Sequence, residues 1–171
     1  LRLSGAIDAG ALSDAFQIVL GRHEVLRSRI EASVDGGLAQ IVLPNAPFSL
    51  ERASLEDEPA ARRESRVREE AYAESARPFD LSSGPLLRAR LLEIAPDDWL
   101  LLVTMHHIAS DGWSLGLLAR ELGEAYAARL AGRAPEWAEL PVQYSDYAVW
   151  QRARLAGDRL DAQLAFWKEQ L

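Results

Sequence analysis

Two of the three histidines stand side by side in Met105-His106-His107-Ile108-Ala109-Ser110-Asp111-Gly112-Trp113-Ser114. Imidazole exchanges its proton near neutral pH, so His107 suits either of two tasks: taking a proton from an attacking amine or hydroxyl, or holding that group in line by a hydrogen bond. Asp111 would orient the loop by pairing with an arginine. Gly112 admits backbone conformations closed to other residues and lets a substrate approach closely, while a helix that follows offers free N–H groups at its start. A plainer reading stays open beside this one: a strand-end histidine pair satisfied by backbone carbonyls, with Asp111 capping the next helix. A metal centre is disfavoured. His106, His107 and Asp111 have the composition of a two-histidine, one-carboxylate set, but adjacent strand histidines diverge and no further ligand spacing appears. A Ser110, His107 and Asp111 hydrolase triad fares no better, because residues this close in sequence do not line up in relay and no nucleophile elbow is present.

The elements around this segment decide where its side chains go. Upstream, Trp99 to His107 is the most apolar strip, and strand alternation carried to its end puts Leu101, Val103, Met105 and His107 on one face and His106 on the other. Leu86 to Ile94 reads as its antiparallel neighbour across a Pro96-Asp97-Asp98 turn. Downstream, Ser114 to Leu130 places Leu115, Leu118, Leu122, Ala125, Tyr126 and Arg129 in helical register and stops at Gly132. A first helix starts at the N-cap Asp8, carries Leu12, Phe16, Val19, Leu20 and His23, and closes at Arg22-His23-Glu24. Alternation from Leu26 to Val34, an Asp35-Gly36-Gly37 turn and Leu38 to Leu43 form a hairpin. A loop marked by Pro44 and Pro47 leads to an exposed helix from Pro59 to about Arg77. The tail from Tyr144 reads as two helices broken at Gly157. The expected class is α+β, an antiparallel or mixed sheet covered by α-helices.

Composition narrows the field. The chain has 171 residues, with 19 Lys+Arg against 26 Asp+Glu and a net charge of −7. That is one domain's worth of material, with no basic footprint for nucleic acid and no attraction to an anionic membrane. The absence of cysteine removes disulfides, thiolate nucleophiles and cysteine-ligated zinc, and suits the cytoplasm. No stretch is long enough to span a bilayer. Residue 1 is Leu and the opening Leu1-Arg2-Leu3-Ser4-Gly5 reads as mid-fold, so we expect a piece of a longer polypeptide. A single lysine, Lys168, among many arginines and alanines suits a GC-rich bacterial genome.

His106-His107-x-x-x-Asp111-Gly112, followed by Trp113-Ser114, resembles the signature of the condensation domains of nonribosomal peptide synthetases. Arg22-His23-Glu24-Val25-Leu26-Arg27 is similar to a second family motif. Tyr144-Ser145-Asp146-Tyr147-Ala148-Val149-Trp150 is similar to a third, in the same order, and Pro78-Phe79-Asp80-Leu81 with Gly84-Pro85-Leu86-Leu87-Arg88 is familiar from the family too. The resemblance implies a chloramphenicol-acetyltransferase-like lobe: residues 1–171 would be the N-terminal lobe, without the family's first motif and without the C-terminal lobe. It implies an amide-forming acyltransferase, in which the amine of an aminoacyl thioester on one phosphopantetheine carrier protein attacks a donor acyl thioester on another. No cofactor is then bound directly, and the isolated lobe would be inactive. By position, His107 matches the candidate base or amine-positioning group and His106 the usually structural histidine. Asp111 matches an aspartate held by an arginine, for which Arg27 and Arg22 are the candidates, with Arg27 preferred. Gly112 would leave room for the thioester and offer its N–H. Tyr144, Asp146 and Trp150 are expected to pack and cap. Implied partners are donor and acceptor peptidyl carrier proteins, the C-terminal lobe and an adjacent adenylation domain. The intact histidine pair and the Gly112-Trp113-Ser114 ending favour ordinary condensation over the heterocyclising and epimerising relatives. Two alternatives remain: a coenzyme A-dependent acyltransferase of related fold, and a catalytically silent recruitment domain of the same family.

Overall fold

The computed structural model describes residues 1–34, 36–44 and 47–171. Among them the chain divides into two compact units, Leu1–Ala138 and Glu139–Leu171.

The first unit is built on β6, Asp98–Met105, the strand that leads to the histidines. It pairs antiparallel with β5, Leu87–Ala95, in a register that sets Leu91 against Leu101 and Leu87 against Met105. Asp97, with φ +58°, makes the turn between them, a left-handed conformation that aspartate tolerates better than most side chains. β1, Arg2–Ser4, joins the free edge of β6 antiparallel, and β4, Glu51–Ser54, joins β5 in parallel. The sheet order is β1-β6-β5-β4, so the expected mixed sheet is present. β1 and β4 fall where sequence reading placed an opening segment and a loop. At three and four residues they are too short to display a period, and pairing to β6 and β5 is what makes them strands.

Three helices belong to this unit. α1, Ala9–Arg22, starts at Asp8, whose carboxylate accepts from Ala11 N at 2.9 Å, as its N-cap role required. Its Leu12, Phe16, Val19 and Leu20 are buried against Leu87, Ala89, Leu91 and Leu101 of the sheet and Leu122 and Ala125 of α3, Gly112–Leu130. Phe16 stacks on Phe48 with centroids 4.8 Å apart. α2, Ala60–Ala76, is mostly exposed, as its composition suggested, but it buries Glu74, which accepts from Arg88 of β5 at 2.9 Å.

A short 3-10 turn, Glu24–Arg27, separates α1 from the hairpin of β2, Ser28–Ala32, and β3, Leu38–Val42, which pair antiparallel. Arg27 therefore belongs to that turn and not to a strand. Gly36 in the hairpin turn has φ +82°, while Asp35 of the expected turn lies outside the described residues. Ile30 N donates to Leu81 O at 2.7 Å and Leu86 N to Leu26 O at 3.0 Å, tying the hairpin to the segment that enters β5.

The second unit contains α4, Tyr144–Arg154, and α5, Asp158–Gln170. Gly157, with φ +59°, lies between them at the break the sequence suggested.

Candidate functional site

β6 stops at Met105, two residues short of the His107 to which the alternation was expected to run. His106 N still donates to Leu86 O at 3.0 Å, one step further along the β5–β6 register, and the chain then turns, with Ala109 N donating back to His106 O at 2.9 Å. The ladder thus reaches His106, and the turn that starts at its carbonyl carries His107 away from the strand.

Their environments differ accordingly. His106 is half-buried, its ring edge-on to Phe79 at 5.9 Å, and Phe79 in turn carries the Arg88 guanidinium 3.8 Å above its face. Its Nδ1 accepts from Ile108 N at 3.1 Å, so the neutral ring holds its proton on Nε2. His107 is exposed and has the opposite tautomer. Its Nδ1 lies 2.6 Å from Ser110 O, and because a carbonyl only accepts, Nδ1 must donate. In the neutral ring the lone pair of His107 is then on Nε2, the form required of a base or of a hydrogen-bond acceptor for an amine.

Asp111 caps α3. Its Oδ1 accepts from Ser114 N at 2.8 Å and from Ser114 Oγ at 2.6 Å. The Ser114 hydroxyl first, then the Ser114 and Trp113 amides and the charge of a protonated His107, hold this carboxyl below the ordinary aspartate value. The ion pair expected with Arg27 or Arg22 is not formed. Arg27 donates to Leu43 O and stands 3.5 Å from Glu24, and Arg22 reaches Glu121 at 3.2 Å and Ala138 O at 2.8 Å. The cap supplies Asp111 with donors within three residues, so no distant arginine is needed to satisfy it. Gly112 also differs from expectation: it opens α3 without a left-handed φ, and a Cβ there would touch nothing within 4 Å. The glycine leaves room above the helix start, beside amides with no partner within the helix.

Arg22 and His23 converge on Glu121, which sequence reading passed over. His23 Nε2 lies 2.5 Å from Glu121 Oε2, and the Glu121 residue is only 4% exposed. The signal was available, since Glu121 sits in the same stripe as Leu118, Leu122 and Ala125, and a carboxylate on an apolar stripe demands partners. Between the end of α1 and the histidine loop lies a pocket of about 90 Å³ lined by His23, Met105, Ser110, Ser114 and Leu118, among others. Among the described residues no three His, Asp or Glu side chains gather as metal ligands. In the second unit Asp146 caps α4, accepting from Gln143 N at 2.9 Å, and Tyr144, Tyr147 and Trp150 form a row with centroids 5.9 and 5.7 Å apart. Asp146 caps as expected, while Tyr144 and Trp150 are half exposed and touch Tyr147 between them.

A loop that frees one imidazole nitrogen at a helix N-terminus invites comparison with known proteins. The family model described as "Condensation domain" matches residues 1–171, and the chain belongs to that family. A linear gramicidin synthase from Brevibacillus parabrevis is 44% identical over 167 residues, covering 98% of this chain and 2% of that protein. Among solved structures, the X-domain from teicoplanin biosynthesis superposes with a TM-score of 0.84 at 34% identity, over 98% of this chain and 36% of that one. The starter condensation domain of rhizomide synthetase gives a TM-score of 0.85 at 23% identity, over 99% of this chain and 40% of that one, and so bears on the fold alone. The chain thus spans a small fraction of the synthetases it matches and about two fifths of the solved domains. The α+β fold is that of the condensation domains, as the motifs implied.

Proposed function

We propose that the chain is the N-terminal lobe of a condensation domain that joins a donor acyl thioester to the amine of an acceptor aminoacyl thioester, both carried on phosphopantetheine arms of carrier proteins. The observation that carries this reading is the contact of His107, an exposed residue, with its own loop: with Nδ1 committed to Ser110 O, the neutral ring keeps Nε2 as the acceptor. An α-amine has a pKa of about 8 and is largely protonated at neutral pH, so a group that accepts its proton or its hydrogen bond is needed before it attacks. The thioester is already activated. Alignment then contributes much of the rate. Gly112 keeps the approach to the start of α3 clear. His106, with its proton on Nε2 and its ring against Phe79, orders the loop.

The extent of the likeness supports the assignment to one lobe, since nearly all of this chain aligns with 36% of the teicoplanin X-domain. A complete site then requires the C-terminal lobe, carrier proteins are the partners, and no cofactor binds directly. No helix among the described residues is long and apolar enough to cross a membrane. The cytoplasm, where a synthetase would meet its loaded carriers, is the location that goes with this reading. A second reading, docking of a partner protein without chemistry, has one observation behind it: a teicoplanin X-domain, 32% identical to this chain, was solved in complex with OxyB.

The test presents the polypeptide that carries this chain, with its C-terminal lobe, to donor-loaded and acceptor-loaded carrier proteins and follows the acceptor's intact mass. A gain equal to the donor acyl group is expected. Gain only from coenzyme A thioesters would favour an acyltransferase of related fold, and no gain from either would favour the docking domain.

A further inference from the structure

We propose that Glu121 is a positioning residue for His107, acting through Arg22 and His23 to lock α3 to the end of α1. The inference rests on His107 being the group that handles the amine. Glu121 is almost fully buried and holds two side chains from the adjacent motif residues, Arg22 at 3.2 Å and His23 at 2.5 Å. A charge withdrawn from water this far is tolerated only with good partners, and losing one leaves the other unpaired, so the contact has one favourable geometry and not a range of them. α3 is a single helix from Gly112 through Glu121, a span of about 14 Å at 1.5 Å per residue, so fixing Glu121 fixes the helix start that Asp111 caps. His107 is tied to that start through Ser110. Open space of about 90 Å³ lies behind the loop, with Ser110 and Ser114 on one side and His23 on the other. His106 and the buried Ala109 tie the first half of the loop to β5 and the core, and the second half, from Ser110 to Asp111, runs into α3 and follows where α3 is held.

The test compares Glu121→Ala with Val19→Ala, a core change at a fully buried α1 position away from the loop. In the longer polypeptide that carries this chain, with isotope-labelled histidine and the His107 ring assigned by its loss in His107→Ala, proton–nitrogen spectra read the tautomer of His107 directly. The expected result is loss of the single Nδ1–H signature of His107 in Glu121→Ala and its retention in Val19→Ala. In the longer polypeptide, the amide-forming rate at saturating carriers falls about tenfold or more in Glu121→Ala with half-saturation unchanged. An unchanged His107 signature and rate would overturn the inference, as would equal loss in both variants. Should Glu121→Ala not fold, Glu121→Gln, which keeps size and one hydrogen bond, is read in its place by the same criteria. If the wild type forms no amide at all, the functional reading fails while the spectra still decide the positioning role.

Discussion

At the scale of single residues, Asp111 and His107 divide the work of the loop. Asp111 is an anion held by donors it can reach only in the folded chain, and its carboxyl titrates below the ordinary value of 3.8. A folded-state pKa below the unfolded one means that the cap contributes stability at pH values above the ordinary aspartate range. That contribution is lost as pH falls through the depressed pKa. Asp98, held low chiefly by its hydrogen bond from Arg2, and Asp80, held low chiefly by the Ser82 hydroxyl, act in the same direction. Asparagine caps a helix about as well as aspartate but does not titrate. The thermal midpoint of wild type relative to Asp111→Asn should therefore decline as pH is lowered through and below the aspartate range, and a relative midpoint that rises there would contradict the capping role. The sequence named His106, His107, Asp111 and Gly112 because motif spacing is local. It also offered Asp111 as the cap of the next helix, which the structure bears out; the arginine partner came from the family resemblance, and spacing alone did not choose between the two because the competing donors, Ser114 N and Oγ, are local.

Among the elements, what was legible had length and period. α1, α3 and the β5–β6 pair were readable because each presents several apolar residues at a fixed spacing, while β1 and β4 were not, since they exist through pairing with a neighbour. The boundary of β6 mattered most, because a strand one or two residues longer would have oriented the histidines by pleat. The segment entering β5 offers an independent check. Gly84 has φ +57°, and a Cβ there would stand 2.8 Å from Ser28 O, a backbone atom that cannot swing aside. Gly84→Ala should destabilise the protein by about 1–3 kcal/mol, visible as a shifted urea midpoint, where an ordinary exposed Gly→Ala would be neutral or stabilising. An unchanged midpoint would mean that Leu86 and the hairpin are not held as close as the 3.0 Å bond from Leu86 N to Leu26 O implies.

For the molecule as a whole, the sequence supplied fold class and family, and the division into Leu1–Ala138 and Glu139–Leu171 was not visible in it. The tail from Tyr144 read as two helices broken at Gly157, as found. Yet Trp150 and Trp167 are 54% and 57% exposed, and Trp113, beside the loop, is 89% exposed. Single exposed aromatics are common, and here they leave the family assignment to rest on the motifs and on the match along the whole chain. The proposed function turns on one nitrogen, Nε2 of His107. The most direct measurement is single-turnover amide formation between loaded carriers by the polypeptide bearing this chain, wild type against His107→Ala, with circular dichroism to verify the fold. A rate lowered by roughly a hundredfold or more with the fold unchanged is expected. A well-folded variant that forms amide at the wild-type rate would contradict the role of His107.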